Sequence, residues 1–146
     1  MNYSRRDLGM LIGLAAAAGA AVPQSDADKQ VLPAKVYQFA DLEVKTSANG
    51  NKSRKVFQGA LHNGFVVNCH ITELALGQMP HPPHHHPHEE IIMLKEGTVE
   101  VTVDGKVTKF GAGGVSFISS GVEHSMRNIG TGQAIYFVVE MRGDGK

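Results

Sequence analysis

The chain has 146 residues, of which 42% are hydrophobic and 19% are charged, enough for one domain with a hydrophobic core. The 14 basic and 14 acidic residues balance, so no excess of positive charge favours nucleic acid as a partner. The single cysteine, Cys69, excludes an internal disulfide framework. Seventeen glycines and no tryptophan indicate a turn-rich β protein rather than a helical one.

The first twenty residues predict an export signal. The pair Arg5-Arg6 precedes an uncharged run of small and apolar residues from Leu8 to Val22, and Ala18–Ala20 has the small residues of a cleavage site. The run is shorter than the about 20 residues that cross a bilayer. The arginine pair resembles a twin-arginine signal; a Sec-type signal or an uncleaved anchor is the alternative. We therefore expect a periplasmic or otherwise exported bacterial protein with no stable membrane span after cleavage.

Residues 21–35 and residues 36–146 differ in the pattern of their residue types. Residues 21–35 combine Pro23 and Pro33 with small polar residues, which predicts a linker or N-terminal arm. Residues 36–146 contain short runs with the period of strands, separated by glycine-rich turns. This pattern predicts one all-β domain, either a small barrel or a sandwich.

Two stretches allow individual strands to be predicted. Residues alternate from Phe65 to Thr72, which predicts a strand with Cys69 as a buried apolar thiol and His70 outside the barrel. Further along, Asp104-Gly105 lies between alternating valines and threonines. This dipeptide is a strong signal for a two-residue hairpin turn.

Two other runs, Ile91–Leu94 and Ala134–Val139, are apolar on both faces. A strand of this kind is covered on each side. We expect one side to face the barrel interior and the other to be covered by a second sheet, the N-terminal arm or another subunit. The covered outer faces favour a homodimer.

Histidine is concentrated in one proline-rich segment. Five of the eight histidines lie within residues 81–88, and two glutamates follow; imidazoles accompanied by carboxylates favour a divalent metal. On an extended chain His84 and His86 share a face. Glu90 has the same parity beyond a turn, and His124 is the candidate for a fourth ligand. Such mixed nitrogen and oxygen donors suit Mn²⁺, Fe²⁺, Co²⁺, Ni²⁺, Cu²⁺ or Zn²⁺ and disfavour Ca²⁺ and Mg²⁺.

Two spaced motifs resemble those of the cupin superfamily. They read His84-x-His86-x3-Glu90-x6-Gly97 and Gly113-x5-Ser119-x-Gly121-x2-His124-x3-Asn128. The resemblance extends over residues 67–141 and is that of a small single-domain cupin of the cupin 2 type. It implies a jelly-roll β-barrel with a metal in its mouth, and a homodimer, since cupins commonly pair. The metal ligands by this resemblance are His84, His86, Glu90 and His124.

The sequence departs from the cupin pattern at two positions. Ser119 stands where the second motif usually has proline, which loosens a turn. The glycine expected before the first histidine is displaced by one position, to Gly77. Neither departure removes a ligand.

The other site residues are assigned by parity and position. His88 is the candidate catalytic residue, as a substrate contact or proton carrier, because it lies nearest the ligands. By parity and the neighbouring prolines, His81, His85 and His88 are all expected at the rim or outside the barrel. Three residues are expected to line the pocket: Met126, Asn128 and Phe117. For Asn128 the alternative is that it secures a turn.

Two functions fit these features. The first is a metal-dependent enzyme of the oxygenase, lyase, decarboxylase or isomerase class, acting on a small polar organic molecule in the barrel mouth. Mn²⁺ or Fe²⁺ is the favoured ion, with Zn²⁺, Ni²⁺ or Cu²⁺ as alternatives. The second function is non-catalytic, an exported protein that binds a metal or a small ligand. The fold resemblance does not choose among the reactions.

Overall fold

The computed structural model describes residues 25–143, so the predicted export signal over residues 1–20 lies outside the described residues. The elements are α1 (Asp26–Lys29), a 3₁₀ turn (Phe39–Asp41), β1 (Lys45–Thr46), β2 (Lys52–Ala60), β3 (Val66–Leu74), β4 (Glu89–Glu96), β5 (Thr98–Val103), β6 (Lys106–Gly111), β7 (Val115–Ile118), β8 (His124–Asn128) and β9 (Ala134–Arg142). None of the described helices is long and apolar enough to cross a membrane.

The strands form two antiparallel sheets. The larger sheet has the order β1-β2-β3-β9-β4-β7, and the smaller has the order β6-β5-β8. In the larger sheet, β9 lies between β3 and β4, so the end of the domain joins two strands from its first half. Buried side chains of both sheets form one core, which gives a two-sheet barrel. The all-β prediction is confirmed.

The predicted hairpin joins β5 to β6. Asp104 has φ 47° and Gly105 has φ 73°, the pair of positive angles that a two-residue hairpin with the strands' own twist requires. The alternation predicted for β5 is also present, since Val99 and Val101 are buried whereas Thr98 is exposed. The hairpin prediction is therefore confirmed.

Inward-facing side chains of the larger sheet change from polar to apolar along the strands. One row pairs Asn68 with Glu140 and Glu140 with Glu90, and we call this the polar end of the barrel. The last row pairs Leu74 with Ala134 at the apolar end. Full burial of each large aliphatic side chain contributes about 1.5–3 kcal/mol, so the shared apolar core is a main source of stability. The core residues are Leu74, Ile92, Leu94, Val99, Val101, Ile118, Met126, Ala134, Tyr136 and Val138.

The predicted faces of β3 are exchanged in the structure. His70 lines the barrel cavity, so its predicted position outside the barrel is wrong. Cys69 faces outward and is nevertheless buried, as predicted, and burial raises the pKa of its thiol. Its register partner Phe57 packs against Tyr37 of the N-terminal arm at 5.7 Å between ring centroids. Because both faces of β3 are covered, alternation alone does not tell which face is the interior.

The described part of the predicted linker is anchored to the barrel. Asp28, only 2% exposed, accepts hydrogen bonds from Gln58 Nε2 at 2.7 Å and from an Arg142 guanidinium nitrogen at 3.1 Å. Ser25 caps the short helix that carries Asp28. Burial by itself raises the pKa of Asp28, but these hydrogen bonds and the Arg142 charge hold it below its ordinary value. The arm is therefore tied to strands β2 and β9.

Candidate metal centre

Three histidines are brought together by backbone pairing at the polar end. His84 and His124 form an antiparallel bridge, with N–H···O distances of 3.1 and 2.9 Å in the two directions. The carbonyl oxygen of His86 accepts a hydrogen bond from the Gly121 amide at 2.8 Å. Gly121 has φ 75°, a left-handed conformation that glycine adopts without strain. The first-motif segment is thereby held beside the start of β8.

The three imidazole rings converge. Ring centroids lie 4.5 Å apart for His84 and His124, 4.8 Å for His86 and His124, and 5.5 Å for His84 and His86. One ring nitrogen from each residue lies within 4.8 Å of the others. Three nitrogens this close together form a group that could hold a single ion.

Glu90 completes the cluster from the start of β4. It is 8% exposed, and its Oε2 lies 3.5 Å from His86 Nε2 while its Oε1 lies 3.7 Å from His124 Nε2. Both distances are long for hydrogen bonds. They suit donors that share an ion, since two atoms at about 2.1 Å from one ion can be as far apart as about 4.2 Å.

Hydrogen bonds determine which imidazole nitrogens are free. His86 Nδ1 lies 2.9 Å from the His88 carbonyl oxygen, and His124 Nδ1 lies 3.0 Å from that of Val122. A carbonyl only accepts, so both Nδ1 atoms carry the proton and both Nε2 atoms present a lone pair. Such backbone bonds are how metal-binding histidines are usually oriented.

Four buried imidazole nitrogens have no hydrogen-bond partner among residues 25–143. They are His84 Nδ1, His86 Nε2, His88 Nε2 and His124 Nε2. A buried polar atom without a partner costs about 1–3 kcal/mol, so four in one cluster call for a ligand that accepts lone pairs. A divalent transition metal fits this donor set. The predicted metal residues are therefore placed together as a site that can hold an ion.

Two imidazoles of the cluster, those of His84 and His88, are held neutral. Burial lowers the pKa of His84 to about 4, with further lowering by the neighbouring His81, His124 and His86. Burial, followed by the neighbouring His86, also lowers the pKa of His88. A neutral imidazole is the form that binds a metal ion. At neutral pH these side chains need no deprotonation before an ion binds.

The cluster opens into a cavity of about 540 Å³ at the polar end of the barrel. Its apolar wall includes Ile92, Met126, Val138 and Tyr136, and its polar wall includes His70, Thr72 and Glu140 beside the cluster. Lys45 and Ser47 lie on the side formed by β1 and its turn. A cavity of this volume and mixed lining suits a small organic molecule.

The other histidines of the segment occupy different positions. His88 stacks on His86 with ring centroids 3.6 Å apart and planes 3° apart, and its Nε2 lies 3.9 Å from Glu140 Oε2. His81 is exposed and lies edge-on to His84 at 4.0 Å, and it also lines the cavity. His85 is exposed. The rim position predicted for His81 and His85 agrees with their exposure, whereas His88 is half-buried in the cavity, so its predicted rim position is wrong.

Two of the three predicted pocket residues lie elsewhere. Met126 lines the cavity. Phe117 is 58% exposed on the outer face of β7, so its pocket prediction is wrong; its neighbour Ile118 has the inward parity and is fully buried. Asn128 is buried away from the cavity, where its Nδ2 donates to the Leu74, Ala75 and Gly132 carbonyls and its Oδ1 accepts from the Gly130 amide. Its alternative role of securing a turn is the one observed.

Two polar residues of the cavity wall, His70 and Glu140, were not predicted as site residues. His70 lies between Cys69 and Ile71, and Glu140 follows Val139 in a strand that is otherwise apolar. A polar residue within an apolar strand was the available signal, since burying it costs free energy unless it has a role.

Comparisons with known proteins agree with this geometry. Residues 70–140 match the family model described as Cupin domain. An RmlC-like cupin from Shewanella frigidimarina superposes with a TM-score of 0.64 at 18% identity, covering 77% of this chain and 95% of that one. A sugar phosphate isomerase of the cupin superfamily from Silicibacter pomeroyi gives 0.60 at 20% identity, covering 74% and 76%. A variant of oxalate decarboxylase from Bacillus subtilis gives 0.62 at 18%, covering 84% and 33%.

No curated protein sequence matches the chain significantly. Structural similarity at such low identity indicates the fold and does not transfer an activity. The match over residues 70–140 includes every member of the imidazole and carboxylate cluster. Residues 70–140 therefore match a cupin domain, the chain has the cupin jelly-roll fold, and its histidine and glutamate group could hold a divalent metal.

Proposed function

We propose that this protein is an exported, metal-dependent enzyme acting on a small polar organic molecule. The observation that carries the proposal is a set of three buried imidazole nitrogens, from His84, His86 and His124, that lack hydrogen-bond partners in the described chain and lie beside Glu90. The cluster opens into a cavity large enough for a small metabolite. Buried lone pairs beside an accessible cavity favour a metal that contacts a substrate over a purely structural metal.

The proposed ligands are the four residues that the two motifs contain: His84, His86, Glu90 and His124. Their three nitrogens and one carboxylate favour Mn²⁺ or Fe²⁺, with Zn²⁺, Ni²⁺ and Cu²⁺ as alternatives. When bound, such an ion supplies a Lewis acid with coordination positions open to substrate. Oxygenase, lyase, decarboxylase and isomerase chemistry all remain within the proposal.

His88 is proposed as the catalytic residue beside the ion. Its Nε2 is buried and without a hydrogen-bond partner among residues 25–143, and its side chain lines the cavity. It can contact a substrate hydroxyl or carry a proton to or from it. The apolar lining that Ile92 and Val138 add to the cavity limits how much polar surface that substrate presents.

Two structural neighbours bear on the class of reaction. One is a sugar phosphate isomerase and another is a variant of oxalate decarboxylase. Both names describe enzymes, which supports catalysis on this fold. At 18–20% identity they do not select a reaction for this chain.

The second candidate is a non-catalytic exported protein that binds a metal or small ligand. It is favoured by His81, an exposed histidine that lies against His84 at 4.0 Å and can receive an ion from solution. The two candidates differ in turnover. The metal-loaded protein is incubated with panels of small hydroxy acids, keto acids and sugars under air, and both product formation and O₂ uptake are followed. Turnover supports the enzyme, whereas tight ligand binding without turnover supports the binding protein.

Metal analysis tests the ligand assignment directly. Protein matured through its own export route is compared with the variants His84→Ala and His124→Ala after dialysis against a weak chelator. Both variants are expected to lose at least about 100-fold in metal affinity, more than the loss of an orienting neighbour causes. The matched control is His85→Ala, an exposed histidine of the same segment. Unchanged metal content in both ligand variants would refute the site.

Export is tested at the arginine pair. Replacing Arg5 and Arg6 together by lysine is expected to leave the full-length chain in the cytoplasm, because twin-arginine signals require that pair. The native protein is expected to begin just after Ala20 when its N-terminus is sequenced. Normal export of the lysine variant would argue for a Sec-type signal.

A homodimer is proposed through the outer face of the larger sheet. Glu90 and Ile92 face the cavity, so Met93 and its register partner Val115 face outward, where both are exposed. Phe117 extends the same exposed apolar surface. Surfaces of this kind are rarely left exposed on monomers.

Light scattering at micromolar concentration tests the dimer. The native protein is expected to have the mass of a dimer, and Phe117→Glu is expected to be monomeric with its metal content retained. Val107→Glu, which changes an exposed apolar residue of the smaller sheet, is the matched control. A native monomer would rule out the homodimer without affecting the metal centre.

A further inference from the structure

The ligand atoms of His86, His88 and Glu90 lie within 4.8 Å of one another, but the orientation of the two rings disfavours one ion shared by His86 and His88. The two rings are stacked, with centroids 3.6 Å apart and planes only 3° apart. An imidazole binds an ion in its own ring plane at about 2.0–2.1 Å. Two nearly parallel planes at this separation do not meet at such an ion. The buried, unpartnered Nε2 of His88 therefore needs a different ligand from the one that the other imidazoles share.

Glu140 is placed to join His88 on that ligand. The distance from His88 Nε2 to Glu140 Oε2 is 3.9 Å, too long for a hydrogen bond and within the about 4.2 Å that separates two donors across one ion. Asn68 Nδ2 donates to the same oxygen at 2.9 Å. Such a bond fixes a carboxylate in the way that neighbours of metal-binding carboxylates do.

Two carboxylates lie side by side at this position. Glu140 and Glu90 are register partners on neighbouring strands, and both face the cavity. Like charges directly opposite each other on a sheet destabilise it. In the described part of the chain, the basic groups within 4.0 Å of either carboxylate are the imidazoles of His86, His88 and His124. A cation between the two carboxylates would remove this repulsion.

We infer that the cavity holds a second divalent transition ion, bound by His88 and Glu140 beside the first, with Glu90 lying between the two positions. The inference rests on the metal centre proposed above, and it replaces the proton-carrying role proposed for His88 Nε2 with a metal-binding one. His70 lies on the same wall of the cavity and is available as a further nitrogen donor. Mixed imidazole and carboxylate donors select the same class of ion as the first position, such as Mn²⁺, Fe²⁺, Co²⁺ or Zn²⁺.

A pair of ions changes the substrate class that the site can take. Two ions about 3.5–4 Å apart bind both oxygens of one substrate group and stabilise charge on each. A small molecule with a carboxylate, or with adjacent hydroxyl and carbonyl oxygens, has this arrangement. The cavity of about 540 Å³ accommodates such a molecule against the apolar wall.

Manganese binding to the full mature protein tests the second position without any assay of activity. Apo protein is loaded with Mn²⁺, dialysed, and examined by elemental analysis and electron paramagnetic resonance. The native protein is expected to hold two ions per chain with a magnetically coupled signal. His88→Ala and Glu140→Gln are each expected to hold one ion with the six-line signal of isolated Mn²⁺. His85→Ala, a solvent-exposed neighbour, is expected to behave as the native protein.

The outcomes separate the second position from the first. One ion per native chain, lost in His84→Ala, would overturn the second position and leave the first in place. No ion in the native chain would overturn both. Loss of the second ion in His85→Ala would assign it to the exposed histidines and overturn the inference. Glu140→Gln preserves size and folding, so a result is available even where His88→Ala is unstable.

Discussion

Asn128 and His124 share a strand and are both buried, but they differ in their hydrogen bonds. Both lie on β8 with the same inward parity, and they are 1% and 4% exposed. The Asn128 amide donates to three backbone carbonyls and accepts from one backbone amide. His124 uses one ring nitrogen on the Val122 carbonyl, while its Nε2 has no partner within the described chain.

A buried polar group can stabilise the fold, as Asn128 does, or it can be available to bind a ligand, as His124 is. Asn128 lies at the apolar end of the barrel, where it ties the loops beyond β3 and β8 to each other. His124 lies at the polar end, where its free lone pair costs folding free energy. A group of that kind is retained when a ligand completes it. We therefore expect the loss of Asn128 to lower the stability of the fold, and the loss of His124 to affect mainly the binding of a ligand.

In the metal-free protein, we expect the largest loss of unfolding free energy from a substitution at Asn128, at the apolar end of the barrel. Asn128→Ala leaves three carbonyls and one amide without their side-chain partner, which we expect to lower the unfolding free energy by about 3 kcal/mol. His124→Ala is expected to change it by less than about 1 kcal/mol, since the removed ring already carries an unpaired nitrogen. Urea titration of chelator-treated protein measures both. A larger loss for His124→Ala than for Asn128→Ala would reverse the comparison.

Addition of a metal ion is expected to change the unfolding free energy by a somewhat smaller amount. An ion at about 100 times its Kd raises the unfolding free energy by about 2.7 kcal/mol, provided that it binds only the folded state. We expect this increase in the native protein and in His85→Ala, and its absence in His124→Ala. Thermal unfolding with and without Mn²⁺ measures it as a shift in Tm. An equal shift in all three proteins would indicate binding outside the cluster.

The sequence predicts the ligands better than the walls of the cavity. Strand parity puts His84 and His86 on one face, and the resemblance to the second cupin motif adds His124. Gly97 shows why such signals are reliable, because its φ is 93° and a Cβ there would lie 2.8 Å from the Ala134 Cα. Positions that tolerate one residue type are readable without a structure.

Faces of strands are harder to predict when both are covered. In β3 the residues on both faces are largely buried, so alternation did not tell whether Cys69 or His70 faced the cavity. Phe117 was misplaced for the related reason that an apolar residue fits an outer, partner-facing surface as well as an inner one. Glu140 was missed because its significance depends on Glu90 and His88, which the fold brings to it from elsewhere in the chain.

The smallest expected change in unfolding free energy is at Asp28. Its buried carboxylate, like the Asn128 amide, has hydrogen-bond partners within the fold. Its lowered folded-state pKa means that the unfolded chain takes up this proton first as pH falls. The stabilisation is therefore complete above the ordinary carboxyl pKa of about 3.9 and is lost as pH falls through the folded-state value. We expect Asp28→Asn to lower the unfolding free energy at pH 7 by about 1 kcal/mol.

Urea titrations at pH 7 and below pH 4 measure this difference. The gap between the native protein and Asp28→Asn is expected to narrow in acid, because the native carboxyl then loses its charge and its advantage. Asp26→Asn is the control, since Asp26 lies in the same helix and is fully exposed. Since Asp28 lies in the arm rather than in the metal cluster, Mn²⁺ should stabilise Asp28→Asn as much as it stabilises the native protein. If the difference in unfolding free energy instead widened in acid, Asp28 would be buried as the neutral acid. Its hydrogen-bonding capacity would then be only partly used, as it is for His124 at the polar end.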